Sequence, residues 1–359
     1  MEKRDDTLRL GIIGCGNAAE RWHLPALRQL ADVRLVAAAD IDPARVRRVG
    51  EKFDIEQQFT DYRVMLDRAD IQAIAIITPT QAHAEPAMAA IAAGKSVLID
   101  KPLAMTPAEC DRLIAAAASS PGKVMVGFNL RWHRLVQRAH AIIESGALGE
   151  IKAVTGVYSH WHPGEKAQVW HKRRETGGGI LFNEGVHHFD LWRSLLGTEV
   201  ADIYAVSRPS EHFEDETSTI VARMTDGISA SCTLVYESSP NNEIQILGRQ
   251  GRLHLSLYRF DGLEFFPNSV YPGDVRERLR RIVAAAGKLP ETLPVMFKGG
   301  DSALSYLAQW RHFADCVLHD RQPDCSLLDG RRAVEIALAA IESVSTNRPV
   351  AMTTGEEAS

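Results

Sequence analysis

Long apolar runs, long basic runs, paired cysteines and compact metal-ligand motifs are all missing from this 359-residue chain. Each absence excludes something. No apolar stretch nears the roughly 20 residues that a membrane-crossing helix requires, so no membrane is expected as a partner. The polar start, MEKRDDTLRL, leads straight into a strand and lacks the apolar centre of a signal peptide, which points to a cytoplasmic protein. With a net charge of −5 and no long basic run, nucleic acid is not expected as a main partner. The five cysteines, Cys15, Cys110, Cys232, Cys316 and Cys325, are scattered without a Cys-x-x-Cys pair. That set reads as reduced thiols, neither a disulfide framework nor a zinc site. No His-Glu-x-x-His is present among the histidines, which include His160, His162, His171 and His187, and no metal is expected. Internal repeats and low-complexity segments are also lacking. What remains is the composition of a globular protein, 45% apolar and 24% charged, with a length suited to two domains.

Short apolar strands alternate with helical stretches over the first third of the chain. Leu8 to Ile13 precedes Gly14-Cys15-Gly16-Asn17-Ala18-Ala19, and a helical pattern follows. Gly14-x-Gly16-x-x-Ala19 between a strand and a helix fits the dinucleotide fingerprint. Gly14 permits the tight turn, Gly16 lets the backbone approach a pyrophosphate, and Ala19 lets helix and strand pack closely. The second strand, Val33 to Ala39, ends at Asp40, where a carboxylate can accept from both ribose hydroxyls and repel a 2′-phosphate. This favours NAD. Arg45 and Arg47 keep NADP open, and Asp40 can equally begin a turn before Asp42-Pro43. Further strands are expected at Ile71 to Ile77, Ser96 to Lys101 and Lys123 to Gly127, with helices at Arg63 to Leu66, Ala82 to Ala93 and Pro107 to Ser119. The alternation implies a doubly wound parallel sheet, a Rossmann domain over residues 1–128. One strand delivers Lys101 at its carboxyl end, and Pro102 stops it there. Ligands of open α/β sheets bind beside such ends. By position alone Lys101 is either a chemical group or an ordinary surface lysine.

The pattern changes in residues 129–359. Arg134 to Ser145 reads as an amphipathic helix. Strand-like runs follow at Ile151–Trp161, Ala201–Ser207, Ser218–Met224, Ile228–Tyr236, Glu243–Gly248 and Arg252–Leu257. Strands without intervening helices imply an open, mainly antiparallel sheet in a second α+β domain. One expected helix interrupts them, Ile180 to Trp192, after Gly177-Gly178-Gly179. On it Asn183 and His187 share a face, with Asp190 roughly on the same side. Three glycines are costly and imply close backbone approach to something. His187 stands as a candidate base or as a core histidine. Helices are expected at Ser305–Leu318 and Gly330–Val344, with another at residues 275–286 and a frayed polar tail after Val350.

Together these residues resemble the glucose–fructose oxidoreductase / inositol dehydrogenase / rhizopine-catabolism (Gfo/Idh/MocA) oxidoreductases over almost the whole length. The motifs that carry the resemblance are Gly14 to Ala19, Thr78-Pro79-Thr80-Gln81-Ala82-His83, Asp100-Lys101-Pro102, Gly127-Phe128-Asn129-Leu130-Arg131 and Gly177 to Asp190. The resemblance implies a Rossmann domain followed by a domain whose open sheet forms the interface of a homo-oligomer, a dimer or tetramer. It implies cofactor contacts from Gly14, Gly16, Asn17, Ala18, Ala19, Asp40, Thr78, Pro79, His83, Asp100 and Lys101. Lys101 is expected to bond substrate hydroxyl and cofactor ribose, and His187 to be the acid/base. Two residues depart from the family pattern. Asp100 replaces the usual Glu, and Asn183 replaces the usual Asp, an amide that can orient a hydroxyl but cannot take its proton.

The expected reaction is hydride transfer between nicotinamide and a secondary hydroxyl of a sugar, cyclitol, sugar acid or nucleotide-sugar. Lys101, His187 and Asn183 are the catalytic candidates, with Arg131 and Trp170 added as substrate contacts. The strip from Trp161 to Arg174 can stack on a sugar and pair with an anion, or be a solvated basic loop. Two other functions stay open. One is a glycosidase or lyase that oxidises its substrate transiently with NAD. The other is a non-catalytic nucleotide-sensing regulator on the same fold.

Overall fold

The computed structural model describes residues 7–68, 70–268 and 300–352, together with Val275, Leu279, Val283 and Gly287. Apart from Val275, Leu279 and Val283, the helix expected at residues 275–286 lies outside the described residues, as does the tail beyond Met352. The chain divides into two compact units. The first is Met1–Asn129 with Glu175–Gly177 and Tyr306–Glu335; the second is Leu130–Arg174, Gly178–Ser305 and Ile336–Ser359.

Six strands make the sheet of the first unit: β1 (Leu8–Ile13), β2 (Val33–Ala39), β3 (Gln57–Phe59), β4 (Ala73–Ile76), β5 (Ser96–Asp100) and β6 (Val124–Gly127). Their order is β3-β2-β1-β4-β5-β6, and every pairing is parallel. Helices must cover both faces of such a sheet, so its strands bury both sets of side chains. All four residues of β4 are fully buried. Local chemistry fixes the helix starts. Asp42 accepts from Ala44 N ahead of Pro43–Phe53, which begins on a proline. Thr106 and Glu109 form a reciprocal capping box at Pro107–Ala118.

Register aligns the strand ends. Ile13 of β1 pairs with Ala39 of β2 and with Ile76 of β4, and Ile76 pairs with Ile99 of β5. The next residues, Gly14, Asp40, Ile77 and Asp100, therefore leave one edge of the sheet at the same level. Strand order reverses between β1 and β4, the switch point where such sheets bind ligands.

The second unit is built on eight strands: β7 (Ile151–His160), β8 (Val200–Arg208), β9 (Thr217–Met224), β10 (Ser229–Tyr236), β11 (Asn241–Gly248), β12 (Gly251–Ser256), β13 (Leu263–Pro267) and β14 (Val350–Ala351). They are ordered β13-β12-β11-β7-β10-β9-β8-β14. Only β10 and β7 pair in parallel, because β7 is inserted from far upstream between β10 and β11. Alternation is clean. In β9, Ser218, Ile220, Ala222 and Met224 are buried, and Thr219, Val221 and Arg223 are exposed. The helix expected over Ile180 to Trp192 is broken. Ile180–Asn183 ends at Glu184, and Gly185–Leu196 begins after it.

Candidate active site

In the first unit the two fingerprint glycines answer to different constraints. Gly14 has φ +99°, and a Cβ there would lie 2.4 Å from the Ile77 carbonyl oxygen. The protein's own backbone demands that glycine. Gly16 is the opposite, since a Cβ there meets nothing within 4 Å. Its smallness serves no packing need of the chain and leaves a cradle beside the loop. Asn17 is exposed, Ala18 half-buried and Ala19 fully buried. The Asp40 carboxylate is held in place, Oδ2 accepting from Cys15 N (2.7 Å) and Oδ1 from Asp42 N (2.9 Å). A carboxylate has about four acceptor positions, so two bonds orient it without saturating it. Burial, followed by the Asp40 and Glu20 charges, pushes the Cys15 thiol up to about 12, so it stays protonated. These residues fit a dinucleotide: an open glycine for the pyrophosphate and an oriented anion for an unphosphorylated ribose. Nearby cations are matched by acids, Arg48 and Lys52 by Glu20 and Arg45 by Asp42.

Lys101 follows β5 directly, half-buried, with its N–H donating to Asp100 Oδ1 (2.9 Å). The Lys101–Pro102 peptide is cis. Buried histidines flank Asp100. His23 Nε2 lies 3.5 Å from Asp100 Oδ2, and its ring meets Tyr306 and Trp310 edge-on. Burial pushes the Asp100 carboxyl up, but His23 beside it and the Lys101 ammonium more than offset it, so the group is held below the usual range. His83 ties neighbouring loops together, Nδ1 to Pro102 O (2.8 Å) and Nε2 to Thr78 O (2.7 Å). Burial lowers its pKa and keeps it neutral, which makes it a brace. Thr78 and Pro79 are half-buried, and the Thr78 hydroxyl donates to Ala82 O (2.9 Å). The structure thus gathers the predicted cofactor residues at one sheet edge. His23 was missed by sequence reasoning. It lies in the irregular turn Ala19–His23 that leads into Leu24–Leu27, and no local signal ties it to Asp100.

In the second unit the Asn183 amide nitrogen donates to Glu184 Oε1 (3.0 Å) and to the Tyr236 hydroxyl (3.3 Å). His187 is half-buried one turn on, and its backbone N–H donates to Glu184 O (3.1 Å). Asp190, fully buried, is gripped by Arg131 through Nε (2.8 Å) and Nη2. Trp170 is half-buried, stacked on His171 at 3.6 Å, with its indole N–H on Gln168 Oε1 (2.8 Å). The arginines of the basic strip meet acids, Arg173 with Glu214 and Arg174 with Asp215. Asp215 is fully buried and accepts from Leu181 N (2.9 Å). Burial raises its carboxyl to about 6 against the pull of Leu181 N–H and Arg174.

The glycine run is explained by the protein itself. A Cβ at Gly179 would lie 2.0 Å from Asp215 Oδ1, and one at Gly178 would lie 2.1 Å from the Trp170 carbonyl oxygen. In the first unit, one at Gly177 would lie 2.7 Å from Thr80 Cβ. Glu184, Tyr236 and Asp215 are further polar groups that sequence reasoning missed. Glu184 stood beside Asn183 in plain view, whereas Tyr236 and Asp215 reach the region from distant strands and loops.

Residues 8–128 match the family model described as "Oxidoreductase family, NAD-binding Rossmann fold", and residues 136–254 match the "GFO/IDH/MocA C-terminal domain". The chain belongs to the GFO/IDH/MocA oxidoreductase family. It is an NAD-binding oxidoreductase, an enzyme of the dehydrogenase class. Myo-inositol 2-dehydrogenase of Thermotoga maritima is 25% identical over 357 residues, 96% of this chain and 98% of that one. The WlbA dehydrogenase of Bordetella pertussis, solved with NADH and UDP-GlcNAcA, superposes with a TM-score of 0.82 at 23% identity, covering 97% of this chain and 98% of that one. Levoglucosan dehydrogenase, solved with NADH, gives 0.81 at 23% identity over 96% and 99%. These likenesses agree with the parallel Rossmann sheet and the mainly antiparallel second sheet. Among the described residues no helix is long and apolar enough to cross a membrane, and no cluster of three or more His, Cys, Asp or Glu could hold a metal.

Proposed function

We propose that this GFO/IDH/MocA oxidoreductase oxidises a secondary hydroxyl of a sugar, cyclitol, sugar acid or nucleotide-sugar, or runs the reverse reduction, with NAD preferred over NADP. The observation that carries the reading is the row of strand ends. The glycine loop, Asp40 and Lys101 follow the aligned ends of β1, β2 and β5 in one parallel sheet, about 14 Å across three inter-strand spacings. Gly14, Gly16, Asn17, Ala18, Ala19, Asp40, Thr78, Pro79, His83 and Asp100 are the residues that hold the cofactor in this reading. Nicotinamide, when bound, supplies the hydride acceptor or donor.

The chain's own residues supply the proton and the charge. His187 takes the hydroxyl proton. The Lys101 ammonium stabilises the developing alkoxide, with Asp100 beneath it kept ionised by His23. Asn183 holds a neighbouring hydroxyl, and Arg131 and Trp170 flank the ligand. The names of the relatives, an inositol dehydrogenase and a levoglucosan dehydrogenase among them, support a polyhydroxylated substrate. Self-association through the second sheet is part of this reading. Val157, Val206, Val221 and Leu247 are exposed at alternating positions on one of its faces. All five cysteines are buried thiols, in keeping with a cytoplasmic enzyme.

Purified protein mixed with NAD and a panel of polyols, uronic acids and nucleotide-sugars tests the reaction through the reduced-nicotinamide absorbance. Net reduction with at least one compound is expected, and Lys101→Ala and His187→Ala should each abolish it while leaving NADH binding largely intact. Near-normal turnover in either variant contradicts the assignment. Product without net reduction identifies the transient-oxidation route, and NAD binding without turnover on any compound identifies a regulator.

A further inference from the structure

Asp215 joins two stretches of the second unit that carry expected substrate residues. It is fully buried, two residues ahead of β9. Its backbone oxygen accepts from Ile180 N (3.2 Å) and its Oδ2 from Leu181 N (2.9 Å). One residue from a distant loop thus serves the first two N–H groups of the helix Ile180–Asn183, which have no partner within their own helix. Its Oδ1 lies 3.6 Å from Arg174 Nε. Glu214, next to it, takes Arg174 N on Oε2 (2.8 Å) and donates its own N–H to Lys172 O (3.2 Å). Gly178 N and Gly179 N donate to Arg173 O and His171 O, both at 2.9 Å. Residues 214–215 therefore clasp the strip that follows Trp170 to the start of the helix that ends in Asn183.

The clasp has a fixed base. Glu216 donates its N–H to Arg208 O (3.0 Å), at the end of β8, and accepts from Tyr236 N (2.9 Å), at the end of β10. The Tyr236 hydroxyl meets the Asn183 amide at the other end of the same short helix. One end of the sheet thereby sets that helix at both of its ends. Stability does not explain the carboxylate. Burial raises it to about 6, so at neutral pH it is a buried charge that weakens the fold. An asparagine would remove that charge, but it could serve only one of the two partners. Its oxygen would take the Leu181 N–H, and its NH2 would then face the Arg174 guanidinium, which also only donates. The carboxylate alone accepts on both sides. Gly179, at φ +81°, is what admits it, since a Cβ there would lie 2.0 Å from Oδ1.

We propose that Asp215 is a positioning residue for the reaction: it ties the strip from Trp170 to Arg174 to the start of Ile180–Asn183 and so sets where Asn183 and, one turn on, His187 stand. The inference deepens the oxidoreductase reading and rests on it. Asp215→Ala and Asp215→Asn test it in the full-length protein. Amide hydrogen exchange needs no substrate. In Asp215→Ala the Leu181 N–H should exchange about tenfold faster than in wild type or more, having lost a hydrogen bond to a charged group. On an alcohol that wild type oxidises, kcat should fall about ten- to a hundredfold in Asp215→Ala and about three- to tenfold in Asp215→Asn, the scale of a misplaced reacting group. NADH affinity should stay within about twofold of wild type in both, because the residues assigned to the cofactor belong to the first unit. Asp215→Asn should also unfold at a higher temperature than wild type at pH 7, since the buried charge is gone. A residue needed only for the fold moves stability and rate together, whereas here one rises and the other falls.

A wild-type kcat in Asp215→Asn overturns the proposal. So does wild-type exchange at Leu181 in Asp215→Ala, or a loss of kcat matched by an equal loss of NADH affinity. Should Asp215→Ala fail to fold, Asp215→Asn carries the test, because its kcat and its unfolding temperature must move in opposite directions. Failure of the parent reading looks different. His187→Ala then turns over as wild type does, or wild type oxidises no alcohol, and the positioning role falls with it while Leu181 exchange still reports the clasp.

Discussion

Alanine at Gly14 and alanine at Gly16 should fail in opposite ways. At Gly14 the backbone has φ +99°, and an added Cβ would lie 2.4 Å from Ile77 O and 2.6 Å from Ile77 C, both backbone atoms that cannot swing aside. Left-handed strain costs about 1–2 kcal/mol and overpacking about 1–3 kcal/mol, so Gly14→Ala should lose roughly 2–5 kcal/mol. At about 2–4 °C per kcal/mol this lowers Tm by on the order of 10 °C. Gly16→Ala adds a methyl to open space. Its stability should stay within about 0.5 kcal/mol of wild type. The same methyl stands where a pyrophosphate approaches the loop, and NADH affinity should fall about tenfold or more, some 1.4 kcal/mol. Thermal unfolding of the cofactor-free protein and fluorescence titration with NADH separate the two effects. A Gly16→Ala protein that binds NADH as wild type does would refute the assignment of that glycine to the ligand, and a Gly14→Ala protein of unchanged Tm would refute the steric argument.

Removing His23 exposes the dependence of Asp100 on its buried partner. His23→Leu should destabilise the fold at neutral pH, because the Asp100 carboxylate loses the neighbour that does most to hold it ionised. The Asp100 carboxyl is depressed in the fold, so its stabilisation is present above the ordinary carboxylate pKa and lost as pH falls. In unfolding curves the gap between variant and wild type should accordingly close below about pH 4. Asp215 has the opposite sign. Its carboxyl is raised to about 6, so the fold is favoured with the proton on, and stability falls by about 3 kcal/mol as pH rises from about 4 to 6. Asp215→Asn should flatten that slope in Tm measured against pH, and an unchanged slope would show that another group titrates there. Asp40→Ala should narrow the preference for NAD over NADP in kcat/KM, because the oriented carboxylate that repels a 2′-phosphate is gone; an unchanged ratio would place the discrimination elsewhere.

Strands β1 and β2 were legible to the residue and β5 and β6 nearly so, because buried parallel strands are short apolar runs bounded by glycine, proline or aspartate. β3 carried no such signal. Gln57–Phe59 is a three-residue edge strand with two glutamines. The sheet of the second unit was legible as strands but not as an order. Alternation within β7 says nothing of its insertion between β10 and β11, which long-range pairing decides. The site divides the same way. Gly14, Gly16, Asp40 and Lys101 announce themselves by position on strand ends. His23, Tyr236 and Asp215 do not, because what matters about them is a partner 77, 53 or 34 residues away. The glycine run at 177–179 was legible as a demand for close approach. What approaches it is the protein's own Thr80, Trp170 and Asp215. The helix break at Glu184 escaped the helical spacing of Asn183 and His187, and it places beside Asn183 the carboxylate that position 183 lacks.

The central claim is that this enzyme moves hydride from a substrate carbinol carbon while His187 takes the proton. Single-turnover oxidation of a polyol substrate carrying deuterium on the reacting carbon tests it most directly. The account predicts that deuterium appears in the reduced nicotinamide with a primary isotope effect, and that His187→Ala suppresses the transfer without releasing NADH. Deuterium lost to solvent with the cofactor still oxidised, or full transfer in His187→Ala, would contradict it.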